Sequence, residues 1–199
     1  YLAQEGRKGP VLVDVAREAI WSLYDFTPGT EYQGKTERMP ARTEISKAAE
    51  MINAAKSPVV IYGVGAAGSS DELLAFMRKA SIPGVHTLLS ASTLPFDEPL
   101  NLGMAGSYGS CEAERAVNSS DLVIGVGTRF SDRLMEDDRP FAPKAKVLHI
   151  DAAPGEISKN ITADMSLIGN VRKILSLLYP FINEKKRKIL PVVREKNII

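Results

Sequence analysis

Cysteine is almost absent from this sequence, which has one thiol, Cys111, among its 199 residues. A single cysteine excludes an internal disulfide framework, and no second cysteine joins it at the spacing of a zinc site. A lone thiol is typical of proteins kept in a reducing compartment. We therefore expect a cytoplasmic protein.

An excess of one charge sign and a long apolar run are missing as well. The 25 basic and 24 acidic residues give a net charge of +1, so no broad cationic surface for nucleic acid or an anionic membrane is expected. No apolar run approaches the roughly 20 residues that span a bilayer. The sequence therefore predicts no nucleic acid partner and no membrane partner.

Short apolar runs are present instead, and they predict buried strands. Most of them are rich in β-branched residues and lack polar alternation, as is typical of a parallel sheet with both faces covered. The five predicted strands are 11–13, 58–62, 84–87, 121–126 and 146–150.

Helical periodicity fills the intervals between these strands. Asn170 is a favourable N-cap for the last helix, and Ser69 with Glu72 has the spacing of a capping box. The alternation predicts an α/β fold, a doubly wound, mostly parallel sheet with helices on both faces and a Rossmann-like nucleotide-binding topology. The predicted helices cover 45–55, 73–80, 113–117 and 171–178.

One domain accounts for nearly the whole chain. Residues 1–183 are expected to form it, together with an N-terminal linker that includes the Pro- and Gly-bearing stretch 27–42. Residues 184–199 begin with a basic run and are predicted to be an exit linker or tail, with a solvated chain end as the alternative.

A Gly-x-Gly-x-x-Gly pattern at Gly63, Gly65 and Gly68 follows a predicted strand and precedes a predicted helix. In that context, glycines let a phosphate approach backbone N–H groups at the helix N-terminus. The alternative is a tight turn that needs glycine for its backbone conformation alone. The acidic residue that a nicotinamide dehydrogenase would use is missing after Thr87, which disfavours that class.

The stretch 127–133 carries the most polar side chains of any predicted strand end. Arg129 and Arg133 offer guanidinium groups for a pyrophosphate, and Thr128 adds a hydroxyl. The alternative is surface pairing with neighbouring carboxylates, which contributes little. The candidate carboxylates are Asp132, Glu136 and Asp137.

The other polar candidates receive no catalytic role. Asp151 ends a predicted strand, where it can accept hydrogen bonds from ribose hydroxyls or cap a turn. His86 and His149 lie in apolar runs and are predicted to be hydrogen-bonded core histidines with no metal. Cys111 is predicted to pack at a helix start. Trp21 and Tyr24 are predicted to anchor the first segment to the core.

Several phrases of the sequence, in their order and spacing, resemble one known family. It is the central domain of thiamine-diphosphate-dependent enzymes, and within them the closest resemblance is to the acetolactate (acetohydroxyacid) synthase large subunit. The most specific phrase is Arg-Phe-x-Asp-Arg at 129–133. The phrases that carry the resemblance lie at 9–14, 54–63, 82–83, 101–104, 120–124, 127–133 and 149–151.

The resemblance implies a structural, cofactor-binding domain that is not itself catalytic. The intact enzyme would condense two 2-keto acids, such as pyruvate to 2-acetolactate in branched-chain amino acid biosynthesis. Thiamine diphosphate and magnesium would bind outside this chain, in flanking domains of the same polypeptide, and the intact enzyme would be a homo-oligomer. The implied FAD contacts are Arg7, Gly63, Val64, Gly65, Gly68, Thr87, Leu88, Gly106, Tyr108, Gly127, Thr128, Arg129, Arg133, Asp151, Gly169 and Asn170.

Two phrases depart from the family pattern. The family's Gly-Met-His-Gly loop is here Gly106-Ser107-Tyr108-Gly109, and Ser131 replaces the first Asp of Arg-Phe-Asp-Asp-Arg. Related domains hold FAD, adenosine diphosphate or no ligand, so all three remain open. Another thiamine-diphosphate decarboxylase or oxidase, or a stand-alone nucleotide-binding module, is the alternative function.

Overall fold

A parallel sheet of six strands forms the centre of the molecule, in the order β3-β2-β1-β4-β5-β6. The computed structural model describes residues 3–4, 8–29, 38–134 and 141–187. Every neighbouring pair of strands in the sheet is parallel. The strands are β1 (Pro58–Tyr62), β2 (Gly84–His86), β3 (Asn101–Met104), β4 (Leu122–Val126), β5 (Lys146–Asp151) and β6 (Met165–Ile168).

Helices cover both faces of this sheet. One apolar cluster joins the sheet to α2, α3 and α5, and a second joins its other face to α4. The predicted doubly wound α/β class is therefore confirmed, and the strand order is that of the Rossmann arrangement. The helices are α1 (Arg17–Trp21), α2 (Arg42–Ala54), α3 (Ser70–Ala80), α4 (Cys111–Asn118) and α5 (Val171–Leu178).

The central strands show why an unbroken apolar run was the right signal. All five residues of β1 are buried. Val60 and Tyr62 belong to the cluster on one face, whereas Val59 and Ile61 belong to the cluster on the other. Side chains alternate between the two faces of a strand, so a strand covered on both sides has no polar positions.

The strand predictions at the edges were less accurate. Residues 11–13 lie outside the sheet, and Leu12 is 91% exposed, so that predicted strand is wrong. Both edge strands, β3 and β6, were missed because they are short and contain Asn, Gly, Met and Ser. The predicted anchors Trp21 and Tyr24 are also wrong, since both side chains are exposed.

Of the two predicted helix caps, one is confirmed and the other is wrong. The Asn170 side chain accepts a hydrogen bond from the Lys173 backbone N–H at 3.2 Å, which confirms the predicted cap of α5. Ser69 makes no capping hydrogen bond, because it ends a 3₁₀ turn (Val64–Ser69) that runs into α3. Cys111 starts α4 but is exposed, so its predicted packing is wrong.

The last described residues lie against the ends of two helices. The Lys185 N–H donates to the Lys79 carbonyl at 3.1 Å, and the Ser81 hydroxyl donates to the Lys185 carbonyl at 2.6 Å. Arg187 donates to the carbonyls of Ala55 and Ala80. Cations at these positions satisfy carbonyls left free at helix C-termini, so residues 185–187 contact the domain.

Candidate nucleotide-binding site

A cleft of about 1490 Å³ opens at the carboxyl ends of the strands. The chain leaves β1 toward β2 on one side and leaves β4 toward β5 on the other. Loops that diverge in this way create the crevice in which doubly wound folds bind ligands. The volume exceeds the roughly 300–1,000 Å³ of most small-molecule pockets, so the cleft has room for a dinucleotide.

The first wall of the cleft is the glycine loop, residues 63–68, which packs backbone to backbone against the loop after β4. A Cβ added at Gly63 would lie 2.3 Å from the Gly127 carbonyl oxygen, and one added at Gly65 would lie 2.9 Å from the Gly127 Cα. The Gly65 N–H donates to the Gly127 carbonyl at 3.0 Å. A Cβ added at Gly68 would meet nothing within 4 Å. The first two glycines are thus required for close packing of the two loops.

The second wall is the arginine loop, residues 127–133. Gly127 has φ +58° and Phe130 has φ +47°, and the left-handed conformation at Phe130 is uncommon for a large side chain. Thr128 and Phe130 are buried, while the side chains of Arg129 and Arg133 are exposed and line the cleft. The loop therefore buries its apolar member and offers its two guanidinium groups to the ligand space.

Two hydrogen bonds hold the carbonyls of the arginine loop. His149 Nε2 lies 2.8 Å from the Thr128 carbonyl oxygen, and because a carbonyl only accepts, Nε2 carries the proton. The Asn160 side-chain amide donates to the Arg129 carbonyl at 3.0 Å. Both donors reach the loop from the segment formed by β5 and the turns that follow it.

Burial keeps the His149 ring neutral. The side chain is 1% exposed, and burial lowers its pKa below the ordinary value of 6.5. The hydrogen bond to Thr128 and the charges of Asp151 and Glu156 oppose this shift but do not reverse it. The prediction that His149 is a hydrogen-bonded core histidine is confirmed.

The middle loop supports the arginine loop from the side. Gly106 has φ +101°, and a Cβ there would lie 2.1 Å from the Arg133 carbonyl oxygen. The Ser107 N–H donates to the same carbonyl at 3.2 Å. Gly106 is therefore a backbone contact of the arginine loop and does not line the cleft, whereas Tyr108 lines it.

The cleft has an apolar shelf as well as a cationic wall. Leu88, Leu89 and Tyr108 are 73%, 70% and 83% exposed, and all three line the cleft. Large apolar side chains that remain this exposed at the mouth of a cleft mark a binding surface. The cations that line the cleft are Lys8, Arg129, Arg133, Lys159 and Arg172.

Asp151 makes the turn-cap interaction that was one of its two predicted roles, and it lines the cleft. Its Oδ1 accepts a hydrogen bond from the Ala153 N–H at 2.8 Å, which is the turn-cap interaction. Its side chain also lines the cleft, together with Glu156. The carboxylate is 8% exposed, so it is fixed at the end of β5.

Thirteen of the sixteen predicted contacts line one cleft. Gly106 and Gly169 do not line it. Gly169 has φ +152°, and a Cβ there would lie 2.5 Å from the Arg38 carbonyl oxygen. Arg7 lies outside the described residues. The residues that the structure brings together are Gly63, Val64, Gly65, Gly68, Thr87, Leu88, Tyr108, Gly127, Thr128, Arg129, Arg133, Asp151 and Asn170.

Some lining residues were missed by sequence reasoning. Arg172 donates to the Gly68 carbonyl, and its Nε lies 3.4 Å from Glu72 Oε1, so it links α5 to the glycine loop and α3. Its position two residues after the Asn170 cap was the available signal. Asn160 and Lys159 lie in irregular turns after β5, where no periodicity marks them.

Neither a metal site nor a membrane span emerges from the described ranges. Within them, no three His, Cys, Asp or Glu side chains lie together as metal ligands would. None of the described helices is both long enough and apolar enough to cross a bilayer.

The comparisons with known proteins agree with this fold. Residues 45–178 match the model of the thiamine pyrophosphate enzyme family, central domain. The chain therefore belongs to this family as its central domain.

The relatives narrow the class to one branch. The chain is 38% identical over 186 residues to a protein of Methanocaldococcus jannaschii named "Probable acetolactate synthase large subunit", covering 87% of this chain and 31% of that one. It is 37% identical over 183 residues to the "Acetolactate synthase large subunit" of Corynebacterium glutamicum, covering 89% and 29%. These curated homologues are acetolactate synthase large subunits, and the chain spans about a third of their length.

A solved structure supports the fold. An X-ray structure from Mycobacterium smegmatis, described as that of a thiamin diphosphate-dependent enzyme, superposes with a TM-score of 0.69 at 28% identity. The match covers 86% of this chain and 34% of that chain.

Proposed function

We propose that the cleft binds FAD and that the chain is the central domain of an acetolactate synthase. The observation that carries the cofactor proposal is the pairing of a cationic wall with an exposed apolar shelf in one cleft. A diphosphate needs the first feature alone. An aromatic ring system beyond the diphosphate accounts for the second, because it covers Leu88, Leu89 and Tyr108.

The lining residues divide by chemistry along such a ligand. Arg129 and Arg133 would hold the pyrophosphate through charge-assisted hydrogen bonds. Asp151 would accept hydrogen bonds from ribose hydroxyls. The exposed apolar shelf would contact the flavin ring, with Tyr108 in place of the family's histidine. Arg7 remains a proposed contact.

The activity of the whole protein would come from outside this chain. Thiamine diphosphate supplies an electron sink for carbon–carbon bond formation between two 2-keto acids, and magnesium would bind with it in the flanking domains. This chain would hold the flavin and keep the flanking domains in place. The intact enzyme would be a cytoplasmic homo-oligomer that makes 2-acetolactate from pyruvate.

The N-terminal segment supports contact with a flanking domain. Its apolar side chains lie on the surface, so residues 11–26 form an apolar surface that this domain does not cover. Burying such side chains is favourable by about 25 cal/mol per Å². A neighbouring domain of the same polypeptide is the proposed cover. The exposed apolar side chains are Val11, Leu12, Val13, Val15, Ile20, Trp21, Leu23, Tyr24 and Phe26.

Cofactor titration tests the ligand proposal. FAD, FMN and ADP are titrated into the 199-residue chain by calorimetry. We expect FAD to bind more tightly than ADP, and FMN, which lacks the pyrophosphate, to bind most weakly. ADP binding equal to FAD binding would show that the shelf does not receive the flavin ring. Lys144→Ala, an exposed cation that does not line the cleft, is the control for nonspecific charge effects.

An assay of the intact enzyme tests the parent activity. The absorbance of the full-length protein is recorded as purified, the protein is supplied with thiamine diphosphate and Mg²⁺ without added FAD, and acetolactate formation is measured from pyruvate alone and from pyruvate with 2-oxobutyrate. A colourless enzyme that still makes acetolactate would remove FAD and keep the synthase. Decarboxylation of pyruvate without acetolactate would favour a different thiamine-diphosphate enzyme.

A further inference from the structure

Residues outside the arginine loop contribute to its shape, in addition to the hydrogen bonds that Thr128 and Asp132 accept within it. Gly127 and Phe130 both have a positive φ, and at Phe130 this is uncommon for a large side chain. Such a conformation persists when surrounding groups determine it. The determinants lie below the loop, on the sheet.

The first determinant is the packing of the Phe130 ring onto the sheet. The ring fills the space above Gly125, where an added Cβ would lie 2.3 Å from the ring carbon Cζ. It also lies edge-on to the His149 ring, with centroids 5.0 Å apart. Gly125 and His149 are cross-strand neighbours in β4 and β5, so together they make the seat for Phe130.

The second determinant is the hydrogen bond from His149 Nε2 to the Thr128 carbonyl, at 2.8 Å. Thr128 and His149 are both buried. A buried carbonyl without a partner is costly, so this bond selects the loop conformation in which the Thr128 carbonyl points at β5. Arg129 is the next residue, and its backbone direction follows from that choice.

We propose that His149 is a positioning residue for the nucleotide site: its Nε2–H fixes the Thr128 carbonyl and thereby directs Arg129 into the cleft. His149 does not touch the ligand. It acts through the arginine loop, and Asn160 assists by holding the next carbonyl, that of Arg129, at 3.0 Å. This inference rests on the proposed function of the cleft, since the loop is positioned for a pyrophosphate.

Two variants separate the hydrogen bond from the packing. His149→Phe keeps an aromatic ring beside Phe130 and removes the donor. His149→Gln places an amide donor near the position of Nε2. We expect His149→Phe to lower FAD affinity at least tenfold and His149→Gln to stay within about threefold of the wild type, a factor that corresponds to less than 1 kcal/mol. Equal losses in both variants would overturn the proposal.

A double-mutant cycle shows whether the effect passes through Arg129. FAD binding is measured for Arg129→Ala, His149→Phe and the double variant. We expect the double variant to bind no more weakly than Arg129→Ala, because a misdirected arginine and an absent one are equivalent. Additive losses would show that His149 acts by another route and would overturn the proposal.

A readout without ligand keeps the two proposals separate. Backbone amide exchange and ¹⁵N spectra of the 199-residue chain follow the loop 127–131 and the His149 ring. We expect a proton on Nε2 in the wild type and faster loop exchange in His149→Phe but not in His149→Gln. A proton on Nδ1 would overturn the positioning role, even if His149→Phe fails to fold. Failure of FAD and ADP to bind, with these loop results intact, would overturn the proposed function alone.

Discussion

The glycine loop and the arginine loop pack against each other, line the same cleft and are built in opposite ways. The glycine loop, residues 63–68, offers almost no side chains, and its first two glycines are required by the backbone of its neighbour. The arginine loop, residues 127–133, offers functional side chains, and residues elsewhere in the chain hold its shape. A pattern of glycines is visible in the sequence, whereas the contacts that fix the arginine loop come from residues far from it in the chain.

The largest expected effect on stability comes from one methyl group added to the glycine loop. Gly63→Ala places a Cβ 2.3 Å from the Gly127 carbonyl oxygen. The clash involves the backbone of both loops, which cannot move apart as easily as a flexible side chain can. We expect a loss of about 3 kcal/mol in the free energy of unfolding, at the upper end of overpacking costs. Urea denaturation measures it.

Gly68→Ala is the matched control in the same loop. An added Cβ there meets nothing within 4 Å, so we expect a change of no more than about 0.5 kcal/mol. Equal destabilisation by the two variants would show that the loops are not packed as described.

The next prediction concerns the seat of the arginine loop. Gly125→Ala pushes a methyl group into the Phe130 ring, 2.3 Å from Cζ. The obstacle is a side chain and not backbone, so we expect a smaller stability loss, about 2 kcal/mol. FAD affinity should fall with it, because Phe130 and Arg129 move together. A variant that loses stability but keeps its full affinity for FAD would show that the packing of Phe130 does not position Arg129.

Arg129→Ala tests the loop's side-chain chemistry without disturbing its form. The side chain is exposed, so we expect stability to change by less than about 0.5 kcal/mol. FAD affinity should fall about 10- to 50-fold, the equivalent of one or two charge-assisted hydrogen bonds. Calorimetry measures the stability and the FAD affinity of Arg129→Ala, and Lys144→Ala is the control for both. A loss confined to stability would contradict the assignment.

The smallest predicted effect is a pH dependence. The folded state holds His149 neutral with a lowered pKa, whereas the unfolded chain protonates it near the ordinary value of 6.5. The stability that neutral His149 contributes is therefore complete above that pH and is lost as pH falls below it toward the folded pKa. We expect the unfolding free energy to fall less steeply between about pH 7 and pH 5 in His149→Phe than in the wild type. Parallel slopes would show that folding does not lower the pKa of His149.

Sequence patterns predicted the centre of this molecule better than its edges, for physical reasons. Strands β1 and β4 and the centre of β5 are buried on both faces and consist mainly of apolar residues, which is a pattern that the sequence shows directly. Edge strand β3 contains Asn101, whose side chain accepts a hydrogen bond from the Tyr62 hydroxyl at 3.1 Å. Such a pairing is invisible in the sequence, because Tyr62 lies in β1, which is two strands away from β3 in the sheet.

The site shows the same limit. Arg129 and Arg133 were identified because they follow a buried strand and match a family phrase. His149 was identified only as a core residue, since its partner, the Thr128 carbonyl, is backbone of another segment. Gly106 was predicted to contact the ligand. Glycine is required at this position because an added Cβ would clash with the Arg133 carbonyl oxygen. Backbone contacts between loops leave no side-chain pattern for sequence reading to find.

The strand order also sets a sequence of events in time. Strands β1, β2 and β3 come from residues 58–104, and β4, β5 and β6 come from residues 122–168, so each half of the sheet is continuous in the chain. Within the sheet the halves meet at the seam between β1 and β4, and the two loops of the cleft belong to opposite halves. A ligand that spans both loops binds only after the seam has closed. It should therefore slow unfolding without speeding folding, and the assembled cofactor site reports that the two halves have joined.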